Sequence, residues 1–139
     1  MKNVVQARIV TLAAAIAHAE GFWVPAARPR RNNNPGDLVA DGAAAGQFPS
    51  RLAGFDALAD KLWRMLAGMS HVYPRSFTFA QFAQAWTGGD NAAAWCTSVC
   101  DDLAISPELT LLQWIQQTDP ATPVKAPPVQ SSDRVRQAD

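Results

Sequence analysis

The 139-residue chain has no excess charge of either sign. Twelve Lys and Arg stand against twelve Asp and Glu, so its overall electrostatics favour neither nucleic acid nor an anionic membrane surface as the main partner. Recognition by shape and hydrogen bonds is expected instead. Cysteine is scarce: Cys96 and Cys100 are the only two. At i, i+4 on a predicted helix their Cβ atoms stand about 5–6 Å apart, against about 3.8 Å in a disulfide. No further cysteine lies at metal-ligand spacing, so two buried thiols are expected, with no metal and no cofactor. No apolar run is long enough to cross a bilayer, which argues against membrane insertion. There is no internal repeat, and nothing in the sequence demands more than a monomer.

What is present suffices for one domain. With 48% hydrophobic and 17% charged residues, the chain can bury a core at residues 1–118. Residues 119–139 hold four prolines and no aromatic residue, which predicts a disordered Pro-rich tail, suited to docking a protein partner. Lys2, the apolar stretch Ile9–Ala17 and the triplet Ala17-His18-Ala19 imitate a secretory signal. Arg8 and Gln6 interrupt that imitation, and Val5, Ile9, Leu12 and Ile16 fall on one helical face, so an uncleaved first helix is expected.

Downstream, "RNNNPGDL" reads as a turn with Pro35 and Gly36 at the centre of a type II turn. "DLVADGAAAGQF" reads as a small β-hairpin. Ser50 caps a helix with Leu52, Phe55, Leu58, Ala59, Leu62 and Leu66 at helical spacing, ended by Gly68. Thr78 opens a helix through Trp86, "GGDN" interrupts, and Asn91 starts another with Trp95, Val99 and Leu103 on one face. Ser106-Pro107 caps a last helix bearing Leu109, Leu112 and Ile115. The predicted fold class is mainly α, with a β-hairpin between the first helix and those that follow.

One residue resists a packing explanation. Glu20 extends the apolar stripe of the first helix, on the side of Ile16, just before a glycine suited to ending the helix. Burial and the negative end of the helix dipole both raise a carboxyl's pKa there, which makes a general acid. A terminal Glu that fans into solvent, or binds a loop amide, fits the spacing equally.

"IAHAEGFWVP…RNNNPGDL…GQFPSRLAGFDAL" resembles the lysozyme-like peptidoglycan hydrolases of phages and prophages, relatives of the lytic transglycosylases, with their "AEGF…RNNNPGNL" pattern. The likeness runs from Ile16 to about Ile105. It implies a lysozyme-like fold, glycan strands of peptidoglycan as substrate, and Glu20 as catalytic acid. It also implies action in the periplasm or at the cell wall, with phage, prophage or virion delivery. Asn91, Trp95 and Val99 match the family's "N-x-x-x-Y-x-x-x-V", with Trp in place of Tyr. Trp86 in "AWTGGDN" is similar to the "AYNAG" of soluble lytic transglycosylases, where a sugar stacks on the ring; a core Trp is the alternative. Asp37 stands where relatives carry Asn. It is either a second carboxylate, as hydrolytic muramidases require, or a turn residue binding nearby amides. Asn33 and Asn34 offer amide partners for N-acetyl groups, with a turn role as the alternative. Phe48 and Ser50 match the hairpin exit and the cleft edge. Arg28, Arg30 and Arg31 are either solvated or partners for the carboxylates of peptide stems. A transglycosylase, a hydrolytic muramidase and a non-catalytic wall-binding or virion and secretion-apparatus structural protein are the functions to separate.

Overall fold

The first helix, α1 (Lys2–Ala19), is the axis of the molecule. In the computed structural model, which describes residues 2–39 and 46–117, it packs against α3 (Arg51–Leu66), α5 (Ala92–Leu103) and α6 (Leu111–Gln116). Ile9, Leu12, Ala13, Ala15, Ile16 and Ala17 are all buried. That set is wider than the single stripe expected, because neighbours cover α1 on more than one side and its alanines let them approach. Among the described residues the architecture is mainly helical, completed by the one-turn α2 (Arg28–Arg31) and by α4 (Phe79–Thr87). No described helix is long and apolar enough to cross a membrane.

α1 ends in a Schellman arrangement. The amide of Phe22 donates to the Ala17 carbonyl at 3.0 Å and that of Gly21 to His18 at 3.0 Å, with Gly21 at φ +76°. The left-handed turn favours a residue without Cβ, and it aims the fully buried Phe22 back into the protein. Glu20 is left as the last residue before the turn.

Several expectations change at the next segment. The amide of Asp37 donates to the Asn34 carbonyl at 3.0 Å, closing the Pro35-Gly36 turn, but the left-handed residues are Asn33 and Asp37, not Gly36. A type II turn is therefore excluded. Gly36 answers a packing demand instead, since a Cβ there would lie 2.8 Å from Leu58 Cδ1. The expected hairpin falls across residues 40–45, outside the described residues. Its flanks at Leu38 and Gly46 are joined by a 2.8 Å backbone hydrogen bond. The tail at 119–139 also lies outside the described residues.

α3 begins as expected, with Ser50 Oγ accepting the Ala53 amide at 3.1 Å. Its buried face runs through Gly54, Leu58, Leu62, Met65 and Leu66, while Leu52, expected in the core, is 70% exposed. Gly54 lets the Asn loop touch α3 directly: a Cβ there would lie 1.8 Å from the Asn33 carbonyl oxygen. α4 and α6 start side by side. Thr78 and Thr110 form an antiparallel bridge, and each closes a capping box, with Gln81 and Gln113 respectively. This moves the start of the last helix from Ser106 to Thr110. The backbone at Pro107, Leu109 and Leu111 is committed to Ala80, Phe79 and Phe77, so helix cannot begin earlier, and Leu111, Trp114 and Ile115 supply its core face. Cys96 and Cys100 are free and buried, with their sulfurs 3.8 Å apart; burial pushes the Cys100 thiol up to about 12.

Candidate active site

Three local structures converge on one cavity of about 580 Å³, lined by Glu20, Arg28, Asp37, Trp86, Asn91 and Trp95 among others. The end of α1 delivers Glu20, partly buried in the cavity wall. The end of α4 delivers Trp86, and the second turn of α5 delivers Trp95. Both indole N–H groups donate to the same carboxyl oxygen, Trp86 Nε1 to Glu20 Oε2 at 3.1 Å and Trp95 Nε1 to Glu20 Oε2 at 3.0 Å. An oxygen that accepts two N–H donors is a poor place for a proton, so the protonated form of Glu20 carries its hydrogen on Oε1. The two rings are nearly parallel, 28° and 6.1 Å apart. They rest on the fully buried Phe82, at 5.4 and 5.6 Å.

Desolvation by burial raises the pKa of Glu20 above the ordinary carboxyl value; the Trp95 hydrogen bond opposes it, the negative charge of Asp37 adds to it, and Trp86 and Arg28 oppose it further. The buried-acid reading of the sequence therefore has its physical basis in the cavity wall, and the solvent-directed alternative does not describe this side chain.

Asp37 shares the cavity. Its carboxylate receives a two-point contact from Arg28, Nε to Oδ1 at 3.3 Å and Nη2 to Oδ2. The expected turn role, with the side chain on local amides, is replaced by this ion pair, because the left-handed backbone at Asp37 swings the carboxylate toward α2. The pair was not legible beforehand: nine residues separate the partners, across a turn whose path the sequence leaves open.

The asparagines are engaged elsewhere. Asn34 is fully buried; its amide nitrogen donates to the Leu38 and Gly46 carbonyls at 3.0 and 2.8 Å, and its oxygen accepts the Leu38 amide at 2.9 Å. Asn33 Nδ2 donates to the Phe48 carbonyl at 3.1 Å. Both brace the loop rather than line the cavity. Phe48 belongs to a smaller hollow with Leu38, Val39 and Lys61, and Ser50 is the helix cap. Asn91 lies at the cavity rim at φ +57°, without a side-chain cap bond to α5. Thr87 and Asp90 also line the wall, and neither was singled out from sequence. Nor was the contact between His18 Nδ1 and Asp102 Oδ2, 2.7 Å, which ties the end of α1 to α5 two residues before Glu20. Among the described residues no cluster of His, Cys, Asp and Glu suits a metal ion.

Searches with the chain against protein-family models, curated proteins and solved structures found no match.

Proposed function

We propose that the chain is a peptidoglycan-cleaving glycosidase of lysozyme-like fold, a lytic transglycosylase acting on the β-1,4 bond between N-acetylmuramic acid and N-acetylglucosamine, with Glu20 as general acid and base. The observation that carries this reading is the partly buried Glu20 carboxyl in the wall of an open cavity, its pKa raised and one oxygen held by two indoles. The resemblance around "AEGF" and "RNNNPGDL" supplies the substrate class.

The residues then act in sequence. Glu20 gives the proton on Oε1 to the glycosidic oxygen as the bond to the muramic anomeric carbon breaks, and the glucosamine leaves with a new 4-hydroxyl. The N-acetyl oxygen of the muramic residue bonds to that carbon. The Glu20 carboxylate, stabilised by the Trp86 and Trp95 N–H groups, takes the proton from the 6-hydroxyl. Oxygen 6 replaces the N-acetyl oxygen, giving a 1,6-anhydro end and returning Glu20 to its acid form. One carboxylate suffices for this route.

A second reading has its own observation: Asp37 lines the same cavity and acts on Glu20 through its charge, as the second acid of a hydrolytic muramidase would. Its engagement by Arg28 through both oxygens favours an electrostatic role over nucleophilic attack. A wall-binding or structural protein has no use for an acid held in this way.

Digestion of purified sacculi followed by mass spectrometry separates these readings. The parent chain is expected to release products lighter than hydrolysis products by one water. Glu20→Gln is expected to lose about 10²–10⁴-fold in rate, and Asp37→Asn less than about tenfold, or 1.4 kcal/mol in the barrier. Reducing muramic ends, together with an inactive Asp37→Asn, establish the muramidase. Full activity of Glu20→Gln removes both.

A further inference from the structure

The proposed chemistry uses the indole N–H of Trp86 and leaves unexplained what stands over the ring. Lys61, on α3, is half-buried. Its Nζ lies 5.7 Å from the Trp86 centroid and 5.3 Å from that of Tyr73, and the two rings meet at 5.4 Å, tilted by 42°. Among the described residues no carboxylate pairs with this ammonium. Asp60, its neighbour in the chain, is taken by Arg64 at 2.8 Å, and the other two ion pairs join His18 to Asp102 and Arg28 to Asp37. The charge is directed at aromatic faces instead. A compact cation needs no particular plane to be held by a ring, only a place over its electron-rich face.

The indole that faces Lys61 is also the one that donates Nε1–H to Glu20 Oε2 at 3.1 Å. Cation to ring and ring edge to carboxyl, these contacts join α3 to the acid. A positive charge over an indole draws electron density from the ring and leaves its N–H more acidic. Such a donor favours a carboxylate over the neutral acid, and the effect is largest where water is excluded. The charges that act on Glu20 directly are those of Asp37 and Arg28; Lys61 is not one of them, so its influence passes through the ring. Asp90 lines the cleft from the turn between α4 and α5, and Asp102 is held by His18 behind Glu20. Burial moves the Tyr73 phenol further above its ordinary value, so that ring offers Lys61 a neutral face.

We infer that Lys61 is a positioning residue for the acid: lying over the Trp86 ring, it holds the indole against Glu20 and strengthens the hydrogen bond that supports the carboxylate half of the cycle. Its part in cleavage rests on the glycosidase reading above; its effect on the Glu20 carboxyl does not.

The test compares Lys61→Met, which keeps the length of the side chain without its charge, with Lys61→Arg, which keeps the charge and also binds ring faces. Two resonances are read in the full chain: the carbon-13 signal of the Glu20 carboxyl, assigned with Glu20→Gln, and the indole N–H of Trp86, assigned with Trp86→Phe. In Lys61→Met the Trp86 resonance is expected to move, and the Glu20 titration midpoint to rise by about 0.3 pH unit or more, roughly a twofold gain in proton affinity. The basic limb of the pH–rate profile on soluble muropeptides should rise with it, and Lys61→Arg should restore most of both. In a Trp86→Phe background, Lys61→Met is expected to leave Glu20 where it was, since the N–H that carries the effect is gone. If Lys61→Met does not melt cooperatively, Lys61→Gln takes its place with the same expectations. A Glu20 midpoint that the neutral variant leaves unmoved overturns the inference, even if sacculi are cleaved normally. So does an Arg variant displaced as far as the neutral one, or an equal displacement without the Trp86 N–H. The expected displacements in a chain that cleaves no sacculi support the link from Lys61 to the carboxyl and remove the glycosidase reading alone.

Discussion

Glu20 is pulled two ways by its neighbours: burial and Asp37 favour the acid form, and the two indoles with Arg28 favour the carboxylate. Each influence can be removed singly. Trp95→Phe deletes an N–H donor that stabilises the charged form, so the pKa of Glu20 rises and the basic limb of the pH–rate profile moves to higher pH, with a lower maximum because the carboxylate half of the cycle loses support. Asp37→Asn removes a like charge, so its basic limb moves to lower pH. Opposite displacements of the two limbs, measured on soluble muropeptides, check both. The same shift has a stability consequence. A carboxyl whose folded-state pKa is raised contributes fully below its unfolded value, about 4.5, and loses that contribution as pH rises through the folded value. Gln keeps an oxygen for both indoles and cannot ionise. Glu20→Gln should therefore melt like its parent in acid and above it at neutral pH; a melting difference that shrinks as pH rises contradicts the placement. The helical stripe and the glycine brought Glu20 out of the sequence, whereas its two donors did not emerge: Trp86 and Trp95 read as sugar platform, family match or core, and only the fold shows them bonded to one oxygen.

At the scale of elements, local signals were the legible ones. Ser50, Thr78 and the Gly21 stop mark their helix ends because a cap is a contact within one turn. Ser106-Pro107 misled because the choice between it and Thr110 is made by pairing with Thr78, more than thirty residues away. One helix end is built against its own sequence. α5 closes on Ala104 at φ +56°, where the amide of Ile105 donates to the Cys100 carbonyl at 3.0 Å and that of Ala104 to Asp101 at 3.2 Å, the arrangement that Gly21 makes without strain at α1. A Cβ in the left-handed region costs about 1–2 kcal/mol, partly offset by the greater unfolded-state freedom of glycine. Ala104→Gly, at an exposed site, should stabilise the protein by about 0.5–1 kcal/mol in urea unfolding, with the denaturant slope and the cleavage rate unchanged.

Across the whole molecule, the cleft wall and the core are one body. Phe82 touches Trp86, Trp95, Tyr73 and Phe79, and Phe79 touches Trp114 of α6, so an aromatic chain runs from the Glu20 donors to the last helix. Opening the site without unfolding the core is then disfavoured. Hydrogen exchange at the Trp95 indole should require the same free energy as the slowest amides of α1, and a much smaller value would show a separately mobile wall. The mainly helical character was readable because it follows from apolar periodicity, while the cavity was not, because it is assembled from segments far apart in the chain. That distance also gives the protein a chronology. Glu20 is synthesised 66 residues before Trp86 and 75 before Trp95. A growing chain on the ribosome thus carries its proposed acid through the next 75 residues of elongation as an ordinary solvated glutamate, and a product released early, ending in α3, has the carboxyl without either of its indole donors.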